Sequence, residues 1–335
     1  VILHPGIIGL ILGAVITFLM VSYAVVTGCQ ILAKWDFSSS SEYQLKLERK
    51  TYLVATLVNW ALGFQIVSTI LFVYTMDDIH GLFVGAMCAT GSLNANPVGW
   101  YALLIKIVTL FISAFWVSLN MVDQSLEDYP FVRLKYILLI VVAPLIATDL
   151  VLQLAYFMGL EPAIITSCCG SLFGSESVGT IASLSAFPVG LSMAVFYGSA
   201  VVYFCLITGL LHSTSSLLRY LTTLVGGLFF CIAIASIISF VSIYIYELPT
   251  HHCPFDILQG WYNYIGYPIY ILLFLSVYFG MLPGLFCGLK RNADSSVVIR
   301  KFEKSWVYLS IGSTLSLVAL ITYAVVSSNL QYYSG

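Results

Sequence analysis

Long apolar runs broken by short polar segments set the pattern of this chain. Stretches such as "IIGLILGAVITFLMVSYAVVTG" and "YILLIVVAPLIATDLVLQLAYFMG" have the length and polarity of bilayer-crossing helices, which need about 20 predominantly apolar residues. Eight such stretches occur, at roughly 6–33, 51–75, 101–122, 135–159, 189–211, 220–246, 264–288 and 305–327, with ends soft by a few residues. The expected fold is all-α: a polytopic membrane helix bundle of eight transmembrane helices, forming a single integral membrane domain over residues 1–335. The first stretch lacks a basic n-region and a small-residue cleavage site, so it reads as a retained helix.

The polar breaks give the bundle an orientation. Lys34, Lys46, Arg49 and Lys50 follow the first stretch; Arg133 and Lys135 follow the third; Arg219 follows the fifth; and Lys290, Arg291, Arg300, Lys301 and Lys304 follow the seventh. Twelve of the thirteen Lys and Arg residues thus fall on one side of an alternating bundle. By the positive-inside rule that side is cytoplasmic and both termini are extracytoplasmic. The expected location is a multi-pass position in the cytoplasmic (inner) membrane, with membrane lipid as the first partner.

Composition agrees. Hydrophobic residues make up 60% of the chain and charged residues 8%, against about a quarter charged in soluble domains. A formal net charge of −2 leaves no basic stripe for phosphates, so nucleic acid is not an expected partner. No P-loop, dinucleotide fingerprint, H-E-x-x-H or G-x-S-x-G is present, and the cytoplasmic loops are too short for a nucleotide domain. No nucleotide cofactor is expected.

The outer loops collect the chemically unusual residues. Cys88 lies in "GAMCATGSLNANPVGW", Cys168 and Cys169 in "TSCCGSLFGSESVG", and Cys253 in "THHCPFDILQGWYNYIGYP"; His4, His80, His251 and His252 face the same side. The first two loops share a Cys, then Gly-Ser-Leu, then Val-Gly, while the third keeps only a Cys and a later Ile-Gly, which suggests repeated helical hairpins with a cysteine at each mouth. Cys29, Cys205, Cys231 and Cys287 fall in apolar spans and read as small buried packing residues. Trp100, Tyr101, Trp261, Tyr262, Tyr264 and Tyr267 read as an outer interfacial belt, Trp35 and Trp306 as an inner one.

Four readings of the outer cysteines stand open. Outside the cytoplasm, four thiols are most simply two disulfides. A bond between adjacent Cys168 and Cys169 is disfavoured by geometry, so Cys88 and Cys253 would each take one of them. The same bonds could also be chemistry, because a thiolate released at one sulfur sits beside the next disulfide. In that form the set Cys88, Cys168, Cys169 and Cys253 resembles the design of quinone-coupled thiol oxidases of the DsbB and vitamin K epoxide reductase type. The resemblance implies a quinone cofactor and a periplasmic redox partner. The chain departs from it in lacking Cys-x-x-Cys, with "CPFD" in that place, and in having eight helices. A third reading is a metal site built from these cysteines with His80, His251 or His252, although no single loop has ligand spacing for chelation. The fourth, haem contact, is limited to a partner: without Cys-x-x-Cys-His no covalent haem attaches.

Two charges lie inside apolar spans, Lys106 and Asp149. Charges at membrane depth cost about 2.5–3.5 kcal/mol on insertion scales and face the bundle interior with a partner, so an ion pair between them, direct or water-bridged, is expected. Gln153 sits one turn from Asp149 on the same face, and Pro144 precedes it. The three residues Lys106, Asp149 and Gln153 form a polar seam suited to a quinone headgroup or a proton route; the structural alternative is a pair that only fixes two helices together. Asn59, Gln65 and Asn120 read as interhelical hydrogen-bonding groups. The leading functional expectation is a membrane redox protein, either a thiol–disulfide/quinone oxidoreductase or the integral subunit of an electron-transfer complex. A secondary transporter of an ion, metal or solute with stapled loops, and a scaffold that docks other membrane subunits, are the alternatives.

Overall fold

The computed structural model describes residues 1–34, 41–126, 129–161, 165–166, 188–289 and 293–330. Among these residues, eight helices are long and apolar enough to cross a membrane: α1 (Pro5–Lys34), α2 (Glu42–Asp78), α3 (Gly99–Gln124), α4 (Val132–Met158), α5 (Val189–His212), α6 (Ser216–Tyr246), α7 (Gly266–Leu285) and α8 (Ala293–Ser327). No β-strand occurs among the described residues. The chain is therefore an all-α, multi-pass membrane protein.

The helices fall into two compact units, residues 1–84 with 92–165, and residues 85–91 with 166–335. In the first, α1 packs on α2 and α4, and α3 on α2 and α4, closing a ring of four. In the second, α5 packs on α6 and α8, and α7 on α6 and α8, in the same order. Short connections join α1 to α2, α3 to α4, α5 to α6 and α7 to α8, which makes each of these pairs antiparallel, as in up-down-up-down bundles.

Two helices reach beyond their apolar runs. The run in α2 begins near residue 51, but the helix starts at Glu42, where Ser41 accepts a hydrogen bond from the Gln44 amide at 3.3 Å as N-cap. Residues 42–50, "EYQLKLERK", are strong helix formers carrying an exposed Glu42–Lys46 pair at 2.7 Å, so the helix continues out of the apolar zone. Likewise α8 begins at Ala293, through "SVVIRKFEK". Hydropathy locates the membrane-depth part of a helix, and propensity decides where the helix itself begins.

Each unit buries a narrow interior and exposes a broad apolar exterior. The first packs Val21, Val58, Trp116, Tyr136 and Leu139 together; Gly28 lets the Tyr136 ring come close, since a Cβ there would lie 2.8 Å from Cδ1. The second stacks Phe229 on Tyr203 at 5.1 Å and on Phe196 at 6.0 Å between ring centroids. Leu12, Leu53, Val151, Val202 and Leu224 point outward and are more than half exposed, which is the expected surface against lipid chains. Cys29, Cys205 and Cys231 are exposed and Cys287 is half-buried, contrary to the expectation of core packing. An apolar exterior accepts a small thiol as readily as the core does. Trp306 is also corrected: it is 6% exposed, against Phe286 at 4.9 Å, and belongs to the interior. Trp261 is 91% exposed, as a belt residue should be. Trp35 lies outside the described residues.

Candidate functional sites

In the first unit, α2, α3 and α4 bring a polar cluster together at membrane depth. Lys106 Nζ lies 3.0 Å from Asp149 Oδ2, both side chains 1% exposed, so the expected ion pair is formed. Gln65 Nε2 donates to the same Oδ2 at 2.8 Å and to Thr109 Oγ1 at 3.1 Å. The ammonium also lies over the Phe72 ring, 5.6 Å from its centroid, a cation–π contact that partly replaces lost hydration. Lys106, Thr109 and Ser113 recur every three to four residues on one face of α3, as Asp149 and Gln153 do on α4, so helical geometry alone aims them inward. Gln65, expected only to link helices, is part of the carboxylate's shell.

The cluster is not saturated. Asp149 Oδ1, both amide heteroatoms of Gln153 and Ser113 Oγ are buried with no protein hydrogen-bond partner, and Gln153 is fully buried. Buried polar groups left unpaired are costly and rare. Asp149 Oδ1 and the Gln153 amide, one turn apart on α4, offer acceptors and one amide donor to water or to a small polar ligand.

Two further buried ion pairs were not apparent in the sequence. Lys135 and Asp123 pair at 2.7 Å between α4 and α3, at most 2% exposed; Asp123 Oδ1 also accepts from the Phe131 amide at 2.8 Å, and Asn120 accepts from Lys135 Nζ at 3.2 Å. In the second unit the Arg219 guanidinium pairs with the Glu303 carboxylate, between α6 and α8, and donates to Thr214 O at 2.6 Å. Lys135 and Arg219, expected as loop charges, are inside the bundles. They sit at the ends of apolar runs, where sequence cannot separate a solvated charge from a buried one.

In the second unit the Cys88 segment meets the α6–α7 connection. The Cys88 and Cys253 sulfurs touch at 3.5 Å, both residues at most 1% exposed. Thr90 Oγ1 also lies 3.5 Å from Cys253 Sγ, and the Phe255 amide donates to that sulfur at 3.4 Å. The Cys253 and Pro254 carbonyls accept from Tyr246 Oη at 2.5 Å and Tyr270 Oη at 2.7 Å, and Gln259 Nε2 donates to Met87 O at 2.7 Å. The two cysteine segments are thereby held by backbone anchors on both sides.

Asp256 completes this site. A carboxylate oxygen and the two sulfurs lie within 4.8 Å of one another. Asp256 Oδ2 pairs with His251 Nε2 at 2.5 Å, while Oδ1 is buried without a partner. Burial, with Asp256 and Cys253 close by, pushes the neighbouring Tyr262 phenol above its ordinary range. The histidines are otherwise occupied: His252 Nδ1 contacts Ile238 O at 3.0 Å, within the π-turn Ile237–Val241 of α6, and the His80 ring contacts Asp77 O. Asp256 has no expected role from the sequence, although Cys253-x-x-Asp256 has the spacing that lets one turn present two ligands. Cys168 and Cys169, and the loop resemblance they carry, lie outside the described residues.

Comparison with known families, curated proteins and solved structures finds no match to this chain. Its chemistry is read from its own geometry: a buried sulfur pair beside a carboxylate–histidine dyad in one unit, and an unsaturated ion-pair cluster in the other.

Proposed function

We propose that this chain is an integral protein of the cytoplasmic membrane that performs thiol–disulfide chemistry at the outer face, as the oxidoreductase itself or as the membrane subunit of an electron-transfer complex. The observation that carries this is the Cys88–Cys253 contact: two sulfurs at 3.5 Å, anchored through backbone carbonyls and shielded from solvent. Formation of a bond of about 2.05 Å needs a small movement. In the step, two thiols give one disulfide, two protons and two electrons; a quinone that takes up both becomes a quinol. The Asp256–His251 dyad supplies a nearby acceptor for a departing proton. Cys168 and Cys169 are the pair with which Cys88 and Cys253 exchange, toward a periplasmic redox partner. Lys106, Asp149 and Gln153 are the proposed quinone headgroup site, supported by the unpartnered Asp149 Oδ1 and Gln153 amide. The sidedness rests on the basic residues, which in each unit gather at the helix ends opposite the chain's described termini.

The test is turnover with a thiol substrate and a quinone in proteoliposomes. Cys88→Ala or Cys253→Ala should abolish it. Normal electron transfer in a Cys168→Ala, Cys169→Ala double variant would remove the relay.

A transporter is the second reading, favoured by the unsaturated charge cluster in the first unit. It requires uptake into liposomes that Asp149→Asn abolishes and reductant leaves intact.

A further inference from the structure

Three donors, two sulfurs and a carboxylate oxygen, converge at the cysteine site, and a dithiol alone does not account for the third. Disulfide exchange uses the two sulfurs. Asp256 is 7% exposed, and its Oδ1 points to no protein partner although the other oxygen is held by His251. Burying a carboxylate with one oxygen unpaired is costly, and this carboxylate lies within 4.8 Å of both sulfurs, where a cation would offset the cost.

We propose that the reduced Cys88–Cys253 pair and Asp256 bind a divalent cation of the zinc class. Zinc takes thiolate sulfur at about 2.3 Å and carboxylate oxygen at about 2.0–2.2 Å in a tetrahedral arrangement. Two sulfurs on such an ion stand about 3.8 Å apart by tetrahedral geometry from that bond length. The observed 3.5 Å is close to this edge and well beyond a disulfide. The donor set selects the class: two thiolates exclude magnesium and calcium, while the carboxylate favours borderline zinc over soft monovalent copper. His251 orients the carboxylate through Oδ2, as outer-shell partners of ligands do. Three protein ligands leave a fourth position open, the arrangement of zinc sites that exchange or activate a ligand.

Binding displaces the thiol protons and transfers no electrons, so it competes with disulfide formation for the same two sulfurs. The ion would hold the pair reduced, and oxidation would release it. This inference rests on the reading that Cys88 and Cys253 work as thiols.

The test uses the full chain, purified in detergent, reduced and freed of reductant, with Co2+ as the spectroscopic probe. The expected result is one Co2+ per chain with thiolate-to-cobalt charge-transfer absorption, displaced by Zn2+ and absent after oxidation. Cys253→Ser should remove the band, and Asp256→Asn should weaken binding at least tenfold while both cysteines remain reactive to thiol labels. A reduced protein that takes up no Co2+, while its thiols still oxidise with quinone, overturns the cation site and leaves the redox reading standing. An unchanged band in both variants overturns it as well. Co2+ uptake by a protein whose thiols never respond to quinone supports the cation site and removes the redox reading alone.

Discussion

Lys106 and Asp149 meet at 3.0 Å between α3 and α4 with both side chains essentially out of solvent. Gln65 from α2 shares the same carboxylate oxygen, so one acid draws three helices of the first unit together. Removing one charge leaves the other buried and unpaired, which typically costs about 3–5 kcal/mol. Asp149→Ala should therefore lower the thermal unfolding temperature of the purified protein sharply. A Lys106→Met, Asp149→Leu double variant should recover much of the loss; a double variant as unstable as Asp149→Ala would show that the pair's hydrogen-bond network, not its charge, matters.

That pair was legible in sequence because each charge interrupts a long apolar run. The eight spans were legible because their apolar runs are long enough to cross a bilayer. Lys135, Asp123, Arg219 and Glu303 were not, because a charge near the end of an apolar run looks alike whether it snorkels to water or turns into the bundle. Cys88 and Cys253 could be singled out by residue type and side of the membrane. Their mutual contact could not, since 165 positions separate them and only tertiary packing brings them together. The role of Asp256 is intermediate: its spacing from Cys253 was visible, but its unpaired oxygen needs coordinates.

Asp123 joins the end of α3 to the start of α4 by an ion pair with Lys135 and a bond from the Phe131 amide. Asp123→Ala loses both and strands the lysine, so it should cost about 3–5 kcal/mol. Asp123→Asn keeps an acceptor for the amide and should be milder. Equal losses in denaturation experiments would place the whole effect on the charge.

Close helix approach in the second unit depends on Gly284. A Cβ there would stand 2.0 Å from Thr223 Oγ1 and 2.7 Å from the Arg219 carbonyl oxygen, and a backbone atom cannot swing away as a side chain can. Gly284→Ala should destabilise by about 1–3 kcal/mol, the usual cost of overpacking. Gly227→Ala, with nothing within 4 Å of the new Cβ, should be neutral or slightly stabilising. Comparable unfolding temperatures for the two variants would contradict the packing described for α6 and α7.

Glu303 balances Arg219 inside the second unit. Glu303→Gln leaves the guanidinium without its counter-charge, facing only neutral acceptors such as Thr214 O, and should lower stability by about 3–5 kcal/mol. It should leave the thiol chemistry of correctly folded protein unchanged. A selective loss of thiol turnover without loss of stability would assign this pair a functional part.

The central claim is that Cys88 and Cys253 are working sulfurs, and the most direct measurement is their oxidation state in gently purified protein. Mass-resolved thiol labelling, with and without reductant and after exposure to quinone or quinol, reads each cysteine separately. The account predicts that labelling of Cys88 and Cys253 falls with quinone and returns with quinol. Sulfurs locked in one state, whatever the quinone pool, would contradict it.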